Sequence, residues 1–139
     1  LTSTDSHLAL ATNALTKDIY IECRLAGMRY AFASGMDPKE VVCLAVENIA
    51  NGTQYSGNAA RAFAEELRAG APVEVLEEVL TRFSRSSDSE VRRFLANWVP
   101  TCLRSNAVAV EILNRLVGDP NGAVAWAATN ALKNVRRPE

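Results

Sequence analysis

One histidine and three cysteines are all that this 139-residue chain holds of the side chains that most often bind metals or act as nucleophiles. His7 has no second histidine and no cysteine near it, so it offers neither a zinc site nor a histidine-based triad. Cys23, Cys43 and Cys102 lie far apart among apolar neighbours. Such an odd, scattered set is not a disulfide framework or a CxxC metal site, and it reads as buried small hydrophobes in a reducing compartment. No metal and no cofactor is expected.

An excess of one charge is missing as well. The formal net charge is −1, and division after Ala71 leaves 6 basic against 8 acidic residues before it and 9 against 8 after it. Proteins that bind by neutralising phosphates usually carry a basic excess, so nucleic acid is disfavoured as a partner. No run of 18 apolar residues occurs, and the N-terminus lacks a basic stretch followed by an apolar one. Those absences predict a cytoplasmic chain without membrane association. Leu1 in place of an initiating Met reads as the start of a trimmed chain or of a piece of a longer one. With no nucleophile, metal or phosphate-loop motif, the chain reads as non-enzymatic.

What the sequence does contain is a repeat. Glu78-Val79-Leu80-Thr81-Arg82-Phe83 returns 33 residues later as Glu111-Ile112-Leu113-Asn114-Arg115-Leu116. The same offset aligns Val75 with Val108, Val91 with Val124, Asn97 with Asn130 and Val99 with Leu132. A fixed period of this size marks stacked supersecondary units, each unable to bury its apolar face alone. Hydrophobic content of 48% and charged content of 22% are those of an ordinary globular protein. One domain over 1–139 is expected, with the repeats clearest over 71–136.

Helical spacing runs through the whole chain. From Asp5 to Ala33, Leu8, Ala11, Leu15, Ile19, Cys23, Ala26, Tyr30 and Ala33 form one stripe, predicting one long helix or two broken near Thr16. Ser34-Gly35 is a stop signal, and Asp37-Pro38 is an explicit start, with the cap residue followed by proline at the first helical position. That second helix runs to Asn51-Gly52. Asn51-Gly52-Thr53 matches a glycosylation sequon and is read as a chance match in a turn. A third helix is expected over Asn58–Ala69, a fourth after Pro72, and a fifth carrying Val91, Phe94, Leu95, Trp98 and Cys102, bent where Pro100 interrupts it. Asn106 caps a sixth, which ends at Gly118-Asp119-Pro120, and a seventh runs from Asn121 or Gly122 to about Arg136. Seven helices make three antiparallel pairs and a final single one.

The segment Asp119-Pro120-Asn121-Gly122-Ala123-Val124-Ala125-Trp126-Ala127-Ala128-Thr129-Asn130-Ala131-Leu132 resembles the start of a HEAT repeat, and Asp88-Ser89-Glu90-Val91-Arg92 is a weaker copy. The resemblance implies an all-α fold, a short right-handed α-solenoid of the armadillo type, working as a scaffold for protein binding without an active site of its own. Ala125 stands where the family usually has Arg, and Trp98 where a small Ala is common, departures that count against the usual Asp-to-Arg ladder at the last repeat.

In such stacks the second helices of successive pairs line the concave side. Glu78, Arg82, Glu111 and Arg115 would then share one mixed-charge ridge with Glu74, Glu77 and Asn114, suited to a protein partner. The same four side chains also read as solvated salt-bridged pairs four residues apart. Trp126 aligns with Arg93 and points away from the inner stripe. It packs beneath the C-terminal tail or on the sixth helix, or it contacts a partner or second protomer. Arg92, Arg93, Arg85, Arg104, Arg136 and Arg137 could form a basic edge like that of DNA-alkylation-repeat glycosylases, which gives the alternative, a nucleic-acid-binding or repair-related protein. Oligomerisation is the remaining expectation.

Overall fold

Local chemistry starts and stops the helices. In a computed structural model that describes residues 3–51, 57–104 and 107–135, with side chains from Ser6 onward, three helix starts are capped by side chains. Asp37 accepts from the Lys39 amide at 3.1 Å, Asp88 from Glu90 at 2.9 Å, and Asn121 from Ala123 at 3.0 Å. Gly35 takes the left-handed conformation (φ 88°) just past the end of the second helix, where a side chain would be strained. The expectations for Gly52-Thr53, the Asn106 cap and the Arg136 end fall outside the described residues.

The helices are α1 (Ser3–Lys17), α2 (Ile21–Ala33), α3 (Pro38–Glu47), α4 (Gly57–Gly70), α5 (Val73–Phe83), α6 (Ser89–Leu103), α7 (Ala107–Val117) and α8 (Gly122–Val135), with a 3₁₀ turn at Ile49–Asn51. There is no strand among the described residues. Pro100 does not end α6, which continues to Leu103 and closes on Arg104 with φ 48°.

The first stretch is two helices, parted at Asp18–Tyr20, where the Asp18 carboxylate accepts from the Tyr20 amide at 2.9 Å. The break resets the helical phase, and this corrects the expected stripe from Ile19 onward. Ile21, Leu25, Met28 and Ala31 are buried, whereas Ile19, Cys23, Ala26, Tyr30 and Ala33 are exposed. Cys102 is buried as expected, but Cys43 is half-buried and Cys23 lies on the surface.

Arg24, fully buried, holds this junction together. Its guanidinium donates to the carbonyls of Leu15 (2.9 Å), Thr16 (3.3 Å), Asp18 and Asn48 (2.9 Å). Those carbonyls lie at the ends of α1 and α3, where helix dipoles concentrate negative charge and leave acceptors without intrahelical donors.

With the first stretch split, the eight helices form two rows. α1 packs on α3, α3 on α5 and α5 on α7, while α2 packs on α4, α4 on α6 and α6 on α8. The rows are joined by α1 on α2, α2 on α3, α4 on α5, α5 on α6, α6 on α7 and α7 on α8. One apolar cluster runs between them, from Leu15 through Phe63, Leu80 and Leu95 to Leu113 and Leu132. The Phe63 and Phe94 rings meet edge to face at 5.6 Å, tying α4 to α6. α8 therefore ends one row and α7 the other.

Candidate interaction surfaces

The 33-residue register is repeated in hydrogen bonds as well as in residue types. Asn97 Nδ2 donates to the Arg93 carbonyl and Asn130 Nδ2 to the Trp126 carbonyl, each at 3.0 Å. Ser86 Oγ accepts from the Asp88 amide at 3.1 Å, and Asp119 Oδ1 from the Asn121 amide at 2.9 Å. Equivalent positions thus carry equivalent bonds.

Asp119 does more than orient its own turn. Arg92 of α6 donates to both of its oxygens, at 2.7 and 3.2 Å, and to the Ser86 carbonyl at 2.8 Å. The two side chains are only 15% and 5% exposed. The hydrogen bond from Arg92 holds the Asp119 carboxyl below its usual pKa range, with the Asn121 amide assisting against the cost of burial, and the Arg92 guanidinium is raised in return. One rung therefore links the start of α6 to the turn before α8. Ala125, at the position equivalent to Arg92, offers no further one.

Of the ridge residues, Glu78 and Arg82 on α5 and Glu111 and Arg115 on α7 are all exposed, on neighbouring helices of one row. The pairing expected within each helix is replaced by bonds between helices. Glu78 binds Lys39 of α3 at 2.8 Å, which raises the Lys39 pKa, first through that hydrogen bond. Arg115 donates to Ser84 Oγ, at the end of α5, at 2.9 Å. Arg82 lies over its neighbour Phe83, 5.0 Å from the ring centre. The four positions therefore divide: Glu78 and Arg115 bridge the row, and Arg82 and Glu111 are left to face outward. Across such a register, the bridging partner of a surface charge comes from the adjacent helix, which sequence spacing within one helix cannot show.

Trp126 is 71% exposed on α8. Of the expected basic edge, Arg92 is committed to Asp119, Arg93 sits 3.8 Å from Glu90, Arg85 and Arg104 are exposed, and Arg136 and Arg137 lie outside the described residues.

Sequence reasoning missed Arg24, although a signal was present. It falls three residues after Ile21 and four before Met28, on the inner face of α2. It also missed the row-bridging Lys39 and Arg29, the latter 2.6 Å from Glu66 of α4.

Chemically reactive groups are few. Burial raises the thiols of Cys102, to about 12, and Cys43, so both are held protonated at neutral pH. Among the described residues no group of three or more His, Cys, Asp or Glu side chains could hold a metal, and no helix is long and apolar enough to cross a membrane. No family model, curated protein or solved structure matches the chain.

Proposed function

We propose that this chain is a protein-interaction module, built as a short HEAT-like α-solenoid, whose working surface is the α5–α7 ridge together with Trp126. The observation that carries this reading is the division of the repeated hexapeptide into two populations. Val79, Leu80, Ile112, Leu113 and Leu116 are buried and Phe83 nearly so, whereas Arg82 and Glu111 point outward from helices that the core already holds in place. A rigid row presenting charges of both signs at a fixed spacing selects partners by electrostatic complementarity. A large aromatic left in water is the kind of side chain that anchors interfaces. The two helix rows and the Arg92–Asp119 rung are what a HEAT-like stack would have, and they support the solenoid.

The test is capture from a native lysate of the source organism. The intact chain is compared with a variant carrying Arg82→Ala, Glu111→Ala and Trp126→Ala, positions chosen because Glu78 and Arg115 also bridge helices. A partner retained by the intact chain and lost by the variant, at unchanged helical content, supports the module. The same proteins captured by both would place binding elsewhere. Retention on DNA at low salt that falls steeply at moderate salt would favour the nucleic-acid reading instead.

A further inference from the structure

Where the end of α4, the start of α5 and the end of α6 meet, the packing leaves a pocket of about 480 Å³. The residue types account for the space. Ala69, Gly70 and Ala71 carry the chain from α4 towards α5 with almost no side-chain volume, and Pro72 has no amide with which to continue the helix. α6 runs on past Pro100, which brings Cys102 and Leu103 to the same place.

The buried part of the lining, Ala71, Leu76, Cys102 and Leu103, is uncharged. Burial holds the Cys102 thiol protonated, so it adds no charge there. The outer part is Val73, 47% exposed, with Arg68 half-buried and Arg104 exposed. No carboxylate lines the pocket, and among the described residues neither guanidinium lies within ion-pair distance of one. Glu65 and Glu66 on α4 pair with Arg61 and Arg29, and Glu74 of α5 is exposed and outside the lining. Arg68 donates to the Thr101 carbonyl at 3.4 Å, a long bond that offsets the negative end of α6 and engages only one of its nitrogens. At the start of α5, where the helix dipole is positive, Pro72 supplies no side-chain cap.

Arg104 carries an independent signal. It closes α6 at φ 48° and ψ 48°, in the left-handed region where glycine is unstrained and a long side chain is not. Gly35 takes such a position just past the end of α2. An arginine in that conformation sacrifices some stability of the helix end and sets a guanidinium at the pocket. Strain of this kind gathers at sites that clamp ligands.

We infer that this pocket binds a small organic acid with an apolar body, its carboxylate taken by Arg68 and Arg104 and its chain laid over Val73, Leu76 and Leu103. Two arginines with no acid beside them match one anionic group, and guanidinium takes a carboxylate in paired hydrogen bonds. The apolar wall favours an acid with a hydrocarbon chain over a bare inorganic anion, which would leave that wall wet. The site goes beyond the α5–α7 ridge and does not depend on it, because Val73 begins α5 whereas Arg82 lies in its last turn.

Calorimetric titration of the intact chain with sodium octanoate tests this, against acetate, which has the head group alone, and octanol, which has the chain alone. Octanoate should bind saturably and at least about tenfold more tightly than either. Arg104→Gly removes the guanidinium while placing the least strained residue at φ 48°. Its melting temperature should rise and its octanoate affinity fall about tenfold. Arg68→Gln, checked for native helical content, should weaken octanoate similarly. Absence of saturable binding, acetate or octanol bound as tightly as octanoate, or an Arg104→Gly protein that binds as wild type does would each overturn the inference. A lower melting temperature for Arg104→Gly would overturn the reading of that arginine as retained for a ligand. A short peptide ending in leucine that binds at least about tenfold more tightly than octanoate would overturn the small acid as occupant, since the pocket would then hold the end of another chain.

Discussion

Arg24 and Asp119 are charged groups placed where water has little access, and each is held by a specific set of partners. Arg24 satisfies carbonyls from α1, the α1–α2 junction and the end of α3, so replacing it with Met would strand several acceptors at once. A loss of about 3 kcal/mol or more is expected in urea denaturation, from unsatisfied groups costing about 1 to 3 kcal/mol each. Arg24→Lys should recover only part of it, because a point-like ammonium cannot span the carbonyls that the guanidinium reaches. An Arg24→Met protein as stable as wild type would mean that water replaces those bonds. Asp119 has a depressed pKa in the folded chain, so its contribution is complete above its unfolded value, about 4, and is lost as pH falls through the folded value. Stability measured from pH 7 downward should therefore fall below about pH 4, and Asp119→Asn should flatten that part of the profile. At neutral pH the same substitution is expected to cost about 3 kcal/mol by leaving Arg92 enclosed without its counter-charge. An unchanged acid profile would show that the rung contributes little.

Among the elements, α3, α6 and α8 were legible because their starts are written in short-range chemistry, a cap residue that bonds amides two residues on. α2 was legible as a helix but not in its facing. Its apolar residues fall on two sides, and a single phase carried over from α1 selects the wrong one. Only the break at Asp18–Tyr20 and the packing of Gly27 on Ala11 settle the orientation. A Cβ on Gly27 would lie 2.3 Å from the Ala11 carbonyl oxygen, backbone against backbone, so neither side can yield easily. Gly27→Ala should thus cost about 1 to 3 kcal/mol, although alanine is the better helix former by up to about 1 kcal/mol. Amide exchange should speed up selectively in α1, the helix pushed away. If exchange rises evenly along the chain instead, α1 is not a separate unit of opening.

For the molecule as a whole, the proposed module would divide stability and recognition between different members of the same repeat. Leu113→Ala should lower stability by about 2 to 5 kcal/mol, the range for a buried leucine whose cavity closes only in part. Trp126→Ala should leave the melting transition in place, because the indole is 71% exposed. A loss below about 1 kcal/mol for Leu113, or a collapsed transition for Trp126, would contradict this division. The 33-residue period, the all-helical composition and most of the inner stripe follow from the sequence alone, because apolar spacing and caps act within one helix or between equivalent turns. The tertiary structure decided which of two apolar sides of α2 faces inward, and that Glu78 and Arg115 bond across the row instead of along their helices. Those outcomes depend on which helix lies alongside, and local spacing carries no information about a neighbour distant in the chain.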